Sequence, residues 1–420
     1  MYQYWLMFSL ASVGWLSADE DCDFSDYTTA YTNLYTSLGL DKNDVQMVNL
    51  RSVPSSHSYT SVYVGLYVSS ITDVNEKAQS FSTQVRIYTV WNDEFYSWNY
   101  ENYCGIRTVS ARKDQIWTPD LNIIESIKTE YASMESQHTL MTDKGIVFLL
   151  DALSLTTACV MDLYRFPFDI QNCNITLHSS VHTRETLRIK TISDGKEFTD
   201  MSKQSFKTQG EWELLAVNYS TAYSNVFWLE FSHLIFTITT KRRPLLYVIN
   251  FMLPVFCFLV LDVASFFIDA SGLEKLSFKV TLLLSISVLL LILNDTLPST
   301  AKDIPLIGVY CSVIFTLIGI SILETMLVSF LMSTGADTRS AAPVETTAAI
   351  TGQGDGVRDS RCVDGNVEQA HTLNHQKTPM CWTRVAKIID VTFCVLYITT
   401  IIVFLSMLSK VWYLDAYPPF

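Results

Sequence analysis

Cys159-Val-Met-Asp-Leu-Tyr-Arg-Phe-Pro-Phe-Asp-Ile-Gln-Asn-Cys173 is a short segment that one disulfide would close into a loop. Its tip is Phe166-Pro167-Phe168-Asp169, and four long apolar segments follow it in the chain. A disulfide requires an oxidising compartment. An oxidised loop with an aromatic-proline tip upstream of membrane spans reads as a working part directed at them, beyond a mere cross-link.

The rest of the chain fits that reading. Its 420 residues are 49% hydrophobic and 17% charged, with a mean hydropathy of +0.22. The apolar excess is concentrated in 244–331 and 385–413, whereas 19–243 reads as a soluble β-rich domain. Of nine cysteines, Cys22, Cys104, Cys159 and Cys173 precede the first span. Cys22 and Cys104 offer a second disulfide, but sequence leaves their pairing open. Residues 1–18, with an apolar run from Trp5 to Leu16 and small residues Ser17-Ala18, read as a signal peptide. Asn174-Ile-Thr and Asn218-Tyr-Ser are glycosylation acceptors. A net charge of −13 without a basic patch argues against a nucleic-acid partner. With no Gly-rich phosphate loop, Cys-x-x-Cys pair or nucleophile–base motif, neither an enzyme nor a cofactor is expected.

Loosely alternating runs at Val62–Leu66, Ser82–Val90, 146–155, 173–177, 186–192, 211–217 and 227–239 predict short strands of a β-sandwich. Leu34 to Leu50 reads as a short helix and a loop, and Trp91, Asp93 and Trp98 as a turn over packed indoles. Pro244–Ile268, Leu276–Leu293, Pro305–Leu331 and Ile388–Val411 are each long enough to span a bilayer. The fold expected is an extracellular β-sandwich plus a four-helix transmembrane bundle. Four spans after a cleaved signal place both termini outside, with 414–420 a short extracellular tail. Lys377, Arg384 and Lys387 before the last span fit a cytoplasmic 332–384, whereas Lys241-Arg242-Arg243 before the first opposes that orientation. Rich in Ser, Thr, Ala, Gly and Asp, most of 332–384 reads as disordered.

Ser277, Thr281, Leu284, Val288, Leu291 and Asp295 recur at steps of four and three, which puts them on one stripe of a helix within 276–294. Two readings of the stripe stay open: a pore lining, or a hydrogen-bonded seam against neighbouring helices. Glu274 and Asp295 at its ends favour the pore, because repeated around an axis they form acidic rings that attract cations. Leu284 and Val288 would then be the constriction that gates by dewetting. Lys279 is expected to point away from such an axis or to snorkel toward the inner surface.

The loop motif, Trp117-Thr-Pro-Asp120, Trp91-x-Asp93 with Trp98, Gln209-Gly-Glu-Trp-Glu-Leu214, Arg242-Arg243-Pro244, Ser277-Phe-Lys-Val-Thr-Leu-Leu-Leu284 and Asp295-Thr-Leu-Pro298 together resemble the Cys-loop pentameric ligand-gated ion channels. The serotonin type-3 receptor branch is the most similar. That resemblance implies a homo- or hetero-pentamer of related subunits around a pore for monovalent cations, embedded in lipid at a plasma membrane such as that of a synapse. It also implies a small extracellular ligand, here of unknown identity, held between subunits. Phe166, Pro167, Phe168, Asp169, Arg242, Arg243 and Pro305 would transmit its binding to the pore, and Glu274 would set cation preference.

The ligand box departs from the branch, whose aromatic cage holds an ammonium. Ser180 stands where a Trp is expected and Arg86 where another is, with Tyr88 two residues on; His138 and Leu140 replace tyrosines. Glu125 matches, and Tyr223, Phe227 and Trp228 suit a capping loop. Arg86 is hostile to a primary amine. Three readings follow: a subunit that assists others, a channel gated by zinc or protons through His138, His178 and His182 (similar to the family's zinc-activated member), or another ligand accepted by Arg86. No metal site is established by these residues. A non-conducting receptor or adhesion protein is the rival of a different class.

Overall fold

The computed structural model describes residues 22–41, 51, 58–132, 137–206, 210–268, 272–296, 304–340 and 382–414. The signal peptide, most of the cytoplasmic stretch and the tail expected from sequence lie outside the described residues. The chain divides into two compact units, one of Met1–Pro244 with Thr296–Asp303 and one of Leu245–Asp295 with Ile304–Phe420, which holds the long helices.

The first unit begins with helix α1 (Phe24–Ser37), followed by β1 (Thr60–Asn75), β2 (Ser80–Ser97), β3 (Thr108–Arg112), β4 (Leu121–Ile123), β5 (Ser126–Tyr131), β6 (His138–Thr142), β7 (Lys144–Ala158), β8 (Ile170–Ser179) and β9 (Leu187–Thr191). Helix α2 (Gly195–Ser205), β10 (Trp212–Val226) and β11 (Leu229–Arg242) complete it. Among the described residues the strands form two sheets. One runs β3-β6-β7-β2-β1-β9 with β5 also on β7, and the other runs β10-β11-β8-β4. Alternation explains the core: Val62, Val64, Leu66 and Val68 on β1 and Phe81, Val85, Ile87 and Trp91 on β2 face inward, against Leu177, Leu234, Phe236 and Ile238 of the other sheet. The β-sandwich expected from sequence is therefore present.

Local expectations needed correction. The first helix ends at Ser37 instead of starting near Leu34. Trp91 and Asp93 sit inside a long strand, not a turn. Trp91 packs edge-on against Trp117 (6.2 Å), while Asp93 is buried and accepts the Phe95 amide (3.1 Å). Gly145, second residue of β7 just past the turn from β6, has φ +79, and a Cβ there would lie 2.5 Å from the Asp93 carbonyl, so only glycine fits. Cys22 and Cys104 form a disulfide, resolving the pairing that sequence left open.

Among the described residues the second unit contains four helices long and apolar enough to cross a membrane. They are α3 (Leu245–Ser265), α4 (Gly272–Thr296), α5 (Leu306–Ser340) and α6 (Trp382–Leu414). In α3, Val248–Met252 widens into a π turn just ahead of Pro254, whose missing N–H cannot continue the ladder. The Tyr310 hydroxyl of α5 donates to the Met252 carbonyl at that turn (3.1 Å).

Candidate functional site

In the strand unit, Cys159 and Cys173 are joined by a disulfide. Of the motif between them, Phe166, Pro167 and Asp169 are buried in the unit's own interior and Phe168 is half-buried; Val160 and Tyr164 are exposed instead. The reason is Arg242 at the end of β11. Its Nε donates to Asp169 Oδ1 (2.8 Å) and its Nη2 to Asp169 Oδ2 (3.2 Å), while Glu76 Oε1 lies 2.7 Å from Nη2. The guanidinium also lies over the rings of Phe166 (4.8 Å) and Trp212 (4.3 Å). Burial opposes its charge, yet Asp169 and Glu76 more than offset that and raise its pKa. Gln171 Nε2 donates to Asp169 Oδ2 (2.7 Å), completing the carboxylate's shell. Arg243 is exposed, its amide bonded to the Glu211 carbonyl (2.7 Å).

The ligand-box residues fall on separate sheets. Arg86 and Tyr88 lie on the outer face of β2, with Arg86 exposed beside a cleft of about 380 Å³ that Gln84, Gln204 and Phe206 also line. Tyr88 meets Tyr67 edge-on (5.0 Å). His138 opens β6 at an exposed position of the same sheet. On the other sheet, Glu125 is already committed: its carboxylate accepts the Thr176 amide (2.7 Å) and hydroxyl (2.6 Å). Ser180 and its neighbours are held by Asp120, which accepts from the Ser180 and Val181 amides (3.0 Å each) and the Ser179 hydroxyl (2.7 Å). His182 meets the Trp117 ring at 6.0 Å. Thus His138, His178 and His182 are not brought together within the chain. Among the described residues no group of three or more His, Cys, Asp or Glu is placed to hold a metal ion.

The β10–β11 hairpin carries the aromatic candidates. Val226 pairs with Leu229, leaving Phe227-Trp228 as a two-residue tip. Both are almost fully exposed, and Phe227 adopts φ +57, a strained value for a bulky residue. Tyr223 is covered by Arg184 (4.0 Å), whose Nη1 donates to both carboxylate oxygens of Glu230 (2.9 and 2.8 Å). Sequence reasoning missed His233. It lies opposite His178 in the β8–β11 ladder, with the ring centroids 5.7 Å apart. Burial first, then His178, pull its pKa below the ordinary histidine value, while Glu125 acts the other way. The acceptors Asn174 and Asn218 are both exposed on strands, and Asn174 Oδ1 accepts from Thr237 Oγ1 (2.9 Å).

In the helical unit, every residue of the predicted stripe on α4 is exposed: Ser277, Thr281, Leu284, Val288, Leu291 and Asp295, with Glu274 exposed before them. The opposite face, Lys279, Leu282, Ile286 and Leu293, is buried. A polar seam does exist, but on that buried face. Lys279 Nζ donates to Ser321 Oγ (2.6 Å) and lies over the Phe266 ring (3.9 Å). Ser321 Oγ donates to Asp262 Oδ1 (3.2 Å), and Tyr397 OH to Asp262 Oδ2 (2.6 Å). One chain of polar contacts therefore links these four helices, and Lys279 lies on the face opposite the stripe, turned away from it as expected and without snorkelling. Asp262 and Ser321 are fully buried, as unsatisfied polar groups in a membrane-spanning bundle must not be left to lipid. Pro305, ahead of α5, is half-buried.

The neurotransmitter-gated ion-channel ligand binding domain model matches residues 43–244, and the neurotransmitter-gated ion-channel transmembrane region model matches 251–353. The chain is 36% identical over 284 residues to the 5-hydroxytryptamine receptor 3A of Mus musculus, covering 66% of this chain and 57% of that one. It is 32% identical over 273 residues to the 5-hydroxytryptamine receptor 3E of Homo sapiens, covering 65% and 59%. Against the neuronal acetylcholine receptor subunit beta-3 of Rattus norvegicus the identity is 28% over 279 residues, covering 66% and 59%. The chain thus spans less than two thirds of the length of these relatives.

Proposed function

Because the chain belongs to the neurotransmitter-gated ion-channel family, we propose that it is one subunit of a cation-selective ligand-gated channel of serotonin type-3 receptor kind. The observation that carries this reading is the stripe on α4. A membrane-length helix buries one face in its own bundle and leaves the other bare, with acidic residues at both ends. Five such faces around an axis would give a pore lined by Ser277, Thr281, Leu284, Val288 and Leu291. Leu284 and Val288 would form the gate, and Glu274 and Asp295 rings that attract monovalent cations. The assembly would sit in the plasma membrane with both termini outside.

The ligand would bind between subunits, one offering the β10–β11 hairpin and the other the outer face of β2. Two observations favour an assisting role in a hetero-pentamer over serotonin gating by this chain alone. Arg86 brings a bare cation to the position of an expected Trp, and Glu125 already has both carboxylate oxygens engaged by Thr176. The test is voltage clamp of cells expressing the chain alone and with a serotonin type-3 receptor subunit. Serotonin is expected to draw current only from the mixture. Serotonin currents from this chain alone would overturn the assisting role. In any conducting mixture Glu274→Ala should shift the reversal potential toward lower cation preference; an unmoved reversal potential would remove the inner ring.

A further inference from the structure

His178 and His233 face each other across the β8–β11 ladder, beneath the hairpin that ends in Phe227 and Trp228. The hydrogen bonds of the two rings fix which nitrogens are spent. His178 Nδ1 lies 3.2 Å from the Ser179 carbonyl. A carbonyl only accepts, so Nδ1 carries the proton and Nε2 of the neutral ring is a bare lone pair. His233 Nε2 lies 2.5 Å from Ser224 Oγ. A serine hydroxyl can donate or accept, but if it donated, Nδ1 would carry a buried N–H with no acceptor. The tautomer that strands no donor has Nε2–H donating to Ser224 Oγ and leaves Nδ1 as the second lone pair. It is buried on a residue only 9% exposed and has no hydrogen-bond partner.

An imidazole whose outer N–H is held by a carbonyl or hydroxyl, leaving the other nitrogen bare, is the arrangement metal-ligating histidines adopt. With Zn–N bonds of about 2.1 Å, two imidazoles on one tetrahedral or more open ion stand with centroids roughly 5 to 6.5 Å apart. The observed separation is 5.7 Å. Glu125, in the turn after β4, adds a carboxylate charge that acts on His233. Imidazole ligands select borderline divalent ions over Mg²⁺ and Ca²⁺.

We propose that His178 and His233 form a two-histidine site for a divalent transition-metal cation, completed by water, at the base of the β10–β11 hairpin. The site does not depend on whether the chain conducts, so binding and current fail independently.

The test is calorimetric titration of the purified full-length chain in detergent with ZnCl₂ and, as a hard-cation control, MgCl₂. One zinc per chain is expected and no magnesium. His178→Gln and His233→Gln should each weaken zinc binding at least about tenfold, and Ser224→Ala should weaken it by about tenfold through loss of ring orientation. His138→Ala and His182→Ala should leave it unchanged. Zinc affinity should also fall on moving from pH 7.5 to pH 5.5, as protons compete for the lone pairs. Should the buried His233 variant not fold, the unmodified chain still decides: zinc, and not magnesium, should shield His178 from acylation by diethyl pyrocarbonate, read by mass spectrometry. The proposal is overturned if millimolar zinc does not bind, if binding moves with His138 or His182, or if His178 is acylated equally with and without zinc.

Discussion

Arg242 in the strand unit and Lys279 in the helical unit are each only 1% exposed, yet their partners differ in kind. The planar Arg242 fork meets two carboxylates, Asp169 and Glu76, and two aromatic faces. Lys279 meets a hydroxyl and a ring, and reaches Asp262 only through Ser321. The difference follows the side chains. A guanidinium offers five donors in fixed directions and can hold several planar acceptors at once. An ammonium is a compact point charge with three rotatable donors, met here by the hydroxyl and carbonyl oxygens of the single residue Ser321. In the strand unit the cation locks one loop to one strand; in the bundle it starts a chain of contacts that touches every helix.

The largest expected effect breaks the first of these. Arg242→Ala leaves Asp169 buried and Glu76 half-buried without their cation and should cost about 3–5 kcal/mol of the strand unit's stability. Arg242→Lys should recover part of that. Thermal and urea unfolding measure both, and a loss below about 1 kcal/mol would mean that the cluster's charges do not matter. Asp262→Ala should cost less, about 1–3 kcal/mol, because it strands Tyr397 and Ser321 but leaves the Lys279–Ser321 contact in place. Tyr397→Phe removes a single hydroxyl bond inside the bundle and should cost only about 0.6 kcal/mol. If Tyr397→Phe matched Asp262→Ala in detergent unfolding, Asp262 would owe its burial to Tyr397 alone, and the chain through Ser321 would contribute nothing.

Sequence periodicity revealed the bare face of α4 because the steps of four and three from Ser277 to Asp295 are local. The buried face was not legible. Lys279 was expected to turn away from the stripe and does, but no spacing announces its partners there, Ser321 of α5 and the Phe266 ring just past α3. The sandwich was legible from alternation, but the bounds of β1 and β2 were not, since both continue through polar residues to Asn75 and Ser97. The Trp91–Asp93 misreading belongs to a strand whose pairing with β7 shifts register between Asn92 and Ser97. Helix α2 went unnoticed although Asp194 caps it, accepting the Glu197 amide (2.9 Å), a local signature that was available. His233 was invisible for another reason: only the β8–β11 register places it opposite His178.

The hydroxyls of α4 carry one more consequence. Thr281 donates its proton to the Ser277 carbonyl (2.9 Å), Ser285 to that of Thr281 (2.8 Å) and Ser287 to that of Leu284 (2.6 Å). With those protons turned back into the helix, the oxygens present lone pairs and no donors to whatever lies alongside. Such a wall can replace water around a sodium or potassium ion but offers a chloride nothing to accept. Discrimination by charge sign would then begin within the helix, with neutral threonine and serine, before either acidic ring contributes.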